Sequence, residues 1–167
     1  MRSKNSYEIR AMRFIKEISE YITNWDSNVA IRRGLLEYNT MKNRKVQYNH
    51  GATRHCLITS DYCVKWDKPR SSASNLFGGC KEELEFYYNT ACREGYSHLF
   101  TKPTACFIDG RLFLIMPRVR VAENLNVEEH VTPEELDFLK NNIFDVIDHN
   151  YGYLHGYFVF YDYAAHY

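Results

Sequence analysis

The stretch Phe144-Asp145-Val146-Ile147-Asp148-His149-Asn150-Tyr151-Gly152 is followed, after a short apolar hairpin, by Tyr161-Asp162-Tyr163-Ala164. A carboxylate is followed five positions later by an amide, and a second carboxylate closes the hairpin. A phosphoryl-transfer site built on a loop and a strand end needs these groups in this order. Asp145 would orient an attacking hydroxyl, and the Asn150 carbonyl with the Asp162 carboxylate would hold Mg2+ against phosphate oxygens. The same residues also read as a polar loop before a hairpin, with Asp and Asn as turn formers. The choice between the two readings rests on what stands upstream.

Immediately upstream, Thr132-Pro133-Glu134-Glu135 announces a helix: Thr132 as N-cap, Pro133 at the first helical position, Glu135 completing a capping box. Leu136, Leu139, Ile143 and Phe144 give that helix an apolar face, and it runs toward Asp145. Residues 118–131 are polar and weakly patterned. Before them, Thr104–Ile108 and Arg111–Met116 read as strands around an Asp109-Gly110 turn. Between Cys80 and Gly95 the spacing is helical, with Glu82, Glu83 and Glu85 in the opening turns, where negative charge is favoured. Three short strands come earlier: Lys45–Tyr48, Arg54–Ile58 and Tyr62–Trp66, joined by tight turns into an antiparallel meander. Residues 1–38 read as helical. One stripe runs through Ile9, Met12, Ile15, Ile18 and Ile22, and a second short helix from about Ser27 to Tyr38 buries Val29, Leu35 and Leu36. Gly34 weakens that second helix by about 1 kcal/mol relative to Ala.

Composition bounds the answer. The chain has 167 residues, 45% of them apolar and 16% aromatic, enough for a real core, and zero formal net charge. No long basic run exists, which argues against nucleic acid as a partner. The five cysteines include no C-x-x-C pair and mostly sit in apolar stretches, as expected of small buried hydrophobes in a reducing compartment. His149, His155 and His166 match no zinc spacing. No apolar run approaches a membrane span and no secretory leader is visible, so a cytoplasmic protein is expected.

Three strands, a helix, two strands, a linker, a helix, a loop and a hairpin form an order that resembles the protein-kinase-like fold. The resemblance rests on residues at matching places. Lys65, in Cys63-Val64-Lys65-Trp66, stands where the family keeps the lysine that contacts the nucleotide phosphates. Glu83 opens the next helix, where the family's glutamate pairs with that lysine. Met116, in Leu114-Ile115-Met116-Pro117-Arg118, falls at the hinge strand whose backbone would face adenine. Asp145 corresponds to the catalytic-loop aspartate, Asn150 to the metal-binding asparagine at the family's own spacing, and Asp162 to the aspartate of Asp-Phe-Gly. The chain looks most like small kinase-like proteins of bacteriophages and bacteria. It shares their Gly-Ala-Thr-Arg turn (Gly51 to Arg54), Gly78-Gly79, the Asn150 to Tyr153 step and Asp162-Tyr163-Ala164. The resemblance covers about residues 44–164.

It implies an α+β fold with three parts: a helical extension over 1–43, a small antiparallel β lobe with one helix over 44–118, and a reduced, C-terminally truncated helical lobe over 119–167. It also implies ATP and Mg2+ as cofactors, with Lys65 and Glu83 clamping phosphate and Gly51 letting backbone approach it. The departures are equally specific. No G-x-G-x-x-G loop exists, Ile143-Phe144 stand where a conventional kinase has His-Arg, and Ile147 replaces the histidine of phosphotransferase relatives. Ala164 replaces the glycine after the metal aspartate, and the sequence ends three residues later. Two functions follow. One is a pseudokinase-like chain that binds a protein, a host factor if the gene is viral, for which the 14 Tyr and 10 Phe are suitable. The other is a minimal ATP/Mg-dependent phosphotransferase. Each site residue has a plainer role available: Lys65 as an edge-strand surface charge, Glu83 as an ordinary first-turn acid with Glu82 or Glu85 as the partner instead, Asp145 and Asn150 as cap and turn.

Overall fold

The computed structural model describes residues 6–51, 53–69, 79–143 and 150–163. The protein is α+β with antiparallel sheets. It divides into two compact units, Met1–Ser71 with Thr104–Arg118, and Ser72–Pro103 with Val119–Tyr167. Among the described residues no helix is long and apolar enough to cross a membrane.

In the first unit, helix α1 spans Ser6–Ile18 and α2 spans Asn28–Lys42. The buried stripe of α1 is Ala11, Phe14, Ile15 and Ile18, continued by Ile22 beyond the helix. Ile9, placed on that stripe by its spacing, is exposed. Six residues separate it from Ile15, which at about 3.6 residues per turn carries it away from the buried face. Helix α2 starts at Ser27, whose hydroxyl accepts the Ala30 N–H at 3.2 Å, and ends on Asn43 in the left-handed conformation at φ 50°. It therefore runs past Tyr38. Its inner face is Ile31, Gly34, Leu35 and Tyr38, whereas Val29 and Leu36 point to solvent. Gly34 is explained by close approach: a Cβ there would lie 2.5 Å from the Tyr21 carbonyl oxygen.

The sheet of this unit has strands β1 (Gln47–His50), β2 (Arg54–Ile58), β3 (Tyr62–Asp67), β4 (Thr104–Ile108) and β5 (Arg111–Pro117). Their order is β1-β2-β3-β5-β4, antiparallel throughout. Strand β1 starts two residues later than the sequence suggested. The β4–β5 turn carries Asp109 at φ 50° and Gly110 at φ 77°, the two left-handed residues that match the strand twist in a two-residue hairpin. Because side chains alternate along a strand, Leu57, Val64, Trp66, Phe113 and Ile115 share the face that packs under α1 and α2. Trp66 donates its indole N–H to the Trp25 carbonyl at 2.8 Å, so its polar atom is satisfied inside this core.

In the second unit, α3 spans Cys80–Phe86, continues through a π-helical turn at Tyr87–Ala91 into α4 (Cys92–Glu94), and stops at Gly95 with φ 86°. Helix α5 spans Pro133–Asn142, with the expected capping box at Thr132 and Glu135. The segment before α5, unpatterned in the sequence, contains strand β6 (Arg120–Val121) and a 3-10 turn at Val127–Glu129. Strands β7 (Tyr151–Leu154) and β8 (Tyr157–Phe160) complete a three-stranded antiparallel sheet in the order β6-β7-β8. Their turn, His155 at φ 51° and Gly156 at φ 84°, repeats the geometry of the β4–β5 turn. Phe86, Phe100, Phe138, Phe160 and Tyr163 form the aromatic core of this unit. Tyr163 is anchored there by donating its hydroxyl to the Thr101 carbonyl at 2.6 Å.

Candidate functional site

Lys65 lies on β3, which is paired on both sides: Lys65 stands opposite Cys56 of β2 and Leu114 of β5. It is therefore on a central strand and not on an edge. Alternation places it on the face opposite Val64 and Trp66, and only 6% of its surface is exposed. A lysine is almost never this buried without a partner, so a solvated surface charge is excluded.

Glu83, in the first turn of α3, is 0% exposed. Its neighbours have other duties. Glu82 accepts the Gly79 N–H at 2.8 Å, closing the helix start, and Glu85 forms an exposed pair with Lys81 at 3.7 Å along the helix. Of the three acids near this helix start, Glu83 alone is in the interior. The sequence left that choice open because all three fall within one turn.

Met116 is fully buried on β5, opposite Cys63. The backbone after it is already committed. Pro117 has no N–H, and the Arg118 N–H donates to the Asp61 carbonyl at 3.0 Å. The Arg118 guanidinium donates to the Thr59 carbonyl at 2.9 Å. An adenine edge would find no free backbone donor at these two positions. Gly51, at the end of β1, is exposed, and a Cβ there would meet open space. Its φ is not left-handed. Neither packing nor turn geometry requires a glycine at this position.

Asp145 lies outside the described residues. Asn150 sits at the open end of the β7–β8 hairpin in the left-handed conformation, φ 60°, and its carbonyl accepts the Tyr161 N–H at 2.9 Å. Asp162 is the next residue along, and both side chains are half-buried. The hairpin thus brings these two positions to the same strand end, as their order implied. An amide oxygen and a carboxylate are the hard oxygen donors that Mg2+ takes, together with phosphate oxygens. The donor set fits that ion. Among the described residues no group of three His, Cys, Asp or Glu side chains is placed to hold a metal.

Two features of the first unit escaped the sequence. Cys56 and Cys63 are hydrogen-bonded thiols on the Lys65 face. The bond that Cys56 donates to Cys63, followed by burial, pushes the Cys56 thiol well above its ordinary range. The other feature is a stack of rings. His55 lies against Trp66 at 5.1 Å between centroids, and Tyr48 lies against both His55 and His50. The Tyr48 hydroxyl meets His55 Nδ1 at 2.7 Å, while His55 Nε2 is buried with no partner among the described residues. The register that opposes His50 to His55 and His55 to Trp66 creates the stack. Alternation within each strand was legible, but this cross-strand register was not.

No protein-family model, no curated protein and no solved structure matches this chain.

Proposed function

We propose that this chain is a kinase-fold protein of the small bacteriophage and bacterial type, acting by binding another protein, a host factor if the gene is viral, with residual or no phosphotransfer. The observation that carries the reading is the pair of buried charges: a lysine on the third strand and a single interior glutamate in the first turn of the following helix. The return of β5 to pair with β3, leaving β4 outermost, supports it. In this reading Lys65 and Glu83 belong to the phosphate clamp, Asp145 is the base, and Asn150 and Asp162 would hold Mg2+, which would supply charge neutralisation at phosphate oxygens.

The weakness of catalysis follows from positioning. Phosphoryl transfer depends almost wholly on placement and electrostatics, and a misplacement of about 1 Å costs on the order of a hundredfold in rate. The β1–β2 turn has a single glycine where the family has a glycine-rich cover, and the backbone donors after Met116 are absent or taken. The charges are kept while the parts that hold a nucleotide in line are reduced.

The test is radiolabelled ATP with the purified protein and host lysate, alongside Asp145→Asn and Asp162→Asn. Little transfer, equal in all three proteins, is the expected result. Host-directed biological activity should survive both substitutions, with a protein partner co-purifying. Robust transfer abolished by both substitutions would establish the second reading, a minimal ATP/Mg-dependent phosphotransferase, which the burial of Lys65 and Glu83 also favours.

A further inference from the structure

Among the described residues, strand β4 ends the five-stranded sheet and pairs with β5 on one side only. Its residues, Thr104-Ala105-Cys106-Phe107-Ile108, include no charge and no proline. Edge strands are commonly protected from further pairing by such residues or by bulges. The other edge, β1, is polar by contrast, with Gln47, Asn49 and His50. Cys106 and Ile108 pack against the core of the first unit, while Phe107, on the opposite face, is 72% exposed.

We propose that β4 pairs antiparallel with β4 of a second copy of this chain, making one sheet continuous across a dimer. The symmetry leaves a single register. A two-fold axis normal to the sheet keeps every side chain on its own face, and directly opposed residues share a face. Only residues an even number apart can therefore oppose one another. The whole strand is paired only when the axis passes beside its middle residue, Cys106. Cys106 then opposes Cys106 of the second copy, Thr104 opposes Ile108, and Ala105 opposes Phe107.

This register is also the chemically favourable one. Each exposed Phe107 ring is covered beside the smallest side chain of the strand, Ala105, so the apolar face closes without overpacking. An axis at Phe107 would oppose ring to ring and leave Thr104 unpaired, and an axis at Ala105 would oppose Phe107 to Pro103. Charges agree as well. Lys102, exposed, precedes the strand and Asp109, exposed, follows it, so antiparallel pairing brings opposite charges to the same end. The two-fold repeats this attraction at the other end. A strand of this length with two covered rings gives a small interface and hence a reversible, concentration-dependent dimer. The proposal is independent of any nucleotide chemistry.

The experiment is sedimentation of the purified chain over a range of concentrations. It is combined with a short bifunctional thiol reagent and peptide mapping of the cross-linked product. The expected results are a reversible dimer and a Cys106–Cys106 cross-link. Phe107→Lys replaces an exposed ring, so the fold is retained, as circular dichroism will show. This substitution should raise the dimer dissociation constant at least about tenfold. A monomer at every concentration, a dimer undiminished in Phe107→Lys, or cross-links that omit Cys106 would each overturn the proposal.

Discussion

His55 is the residue at which a single proton has the clearest consequence. Only 1% of it is exposed, and Nε2 has no partner among the described residues. Burial, then the nearby Lys68 and His50, lower its pKa from 6.5 to about 4, against the weaker opposing pull of Asp26. The ring is neutral in the folded protein and protonates more readily in the unfolded chain. Stability from this group is therefore full above 6.5 and is lost as pH falls from 6.5 toward about 4. The slope approaches about 1.4 kcal/mol per pH unit in that window. His55→Phe keeps a ring against Trp66 and leaves the Tyr48 hydroxyl its bond to Asn28 Oδ1 at 2.9 Å. Urea unfolding over this pH range should show a flatter dependence in the variant, and an unchanged slope would assign the effect elsewhere. Gly152 is a second sensitive position. A Cβ there would collide with the Arg120 carbonyl oxygen and with Val119. Since Gly152 opposes Val121 across β6 and β7, Gly152→Ala should force these strands apart, at about 1–3 kcal/mol or more, read as a lowered urea midpoint.

At the scale of elements, α5 and α2 make opposite points. The start of α5 is written in four residues: Thr132 Oγ1 accepts the Glu135 N–H at 3.2 Å, and Glu135 Oε2 accepts the Thr132 N–H at 2.9 Å. Glu135 also receives a bond from His98 at 2.6 Å. Burial raises the Glu135 pKa, but the bonds from His98 and Thr132 outweigh it and hold the carboxyl below its usual range. Thr132→Ala should cost about 1 kcal/mol and Thr132→Ser much less, because serine keeps the accepting hydroxyl. In α2, propensity alone favours Gly34→Ala by about 1 kcal/mol. The approach to Tyr21 reverses the sign, since overpacking against backbone costs about 1–3 kcal/mol with the carbonyl only 2.5 Å from the new Cβ. A melting temperature above wild type for Gly34→Ala would show that the Tyr21 turn yields.

For the whole molecule the decisive quantity is what ATP and Mg2+ do to stability. A ligand at 100 times its dissociation constant adds about 2.7 kcal/mol. The proposed reading, with reduced phosphate and adenine contacts, expects a small thermal shift, and a smaller one still for Lys65→Met. Comparison of Lys65→Met, Glu83→Gln and the double variant measures any coupling between these two buried groups. If the effects of the single substitutions add without coupling, the clamp assigned to them fails.

What the sequence determined by itself was local. Helix α5 with its cap, the two-residue turn at Asp109-Gly110, the hairpin before Asp162, and the strands of β2, β3, β4 and β5 were readable because caps, turn residues and period-two alternation act within a few residues. The antiparallel α+β class followed from their order. What only the tertiary structure decided was which side of each element is inside. Ile9, Val29 and Leu36 are apolar but exposed, and Gly34 and Gly152 are glycines because a distant backbone lies against them. Glu83 is the interior acid because Glu82 and Glu85 are engaged locally, and Lys65 is on a central strand because β5 returns beside β3. Burial and cross-strand register depend on segments far apart in the chain, and hydrophobic burial is non-directional, so no short pattern encodes them.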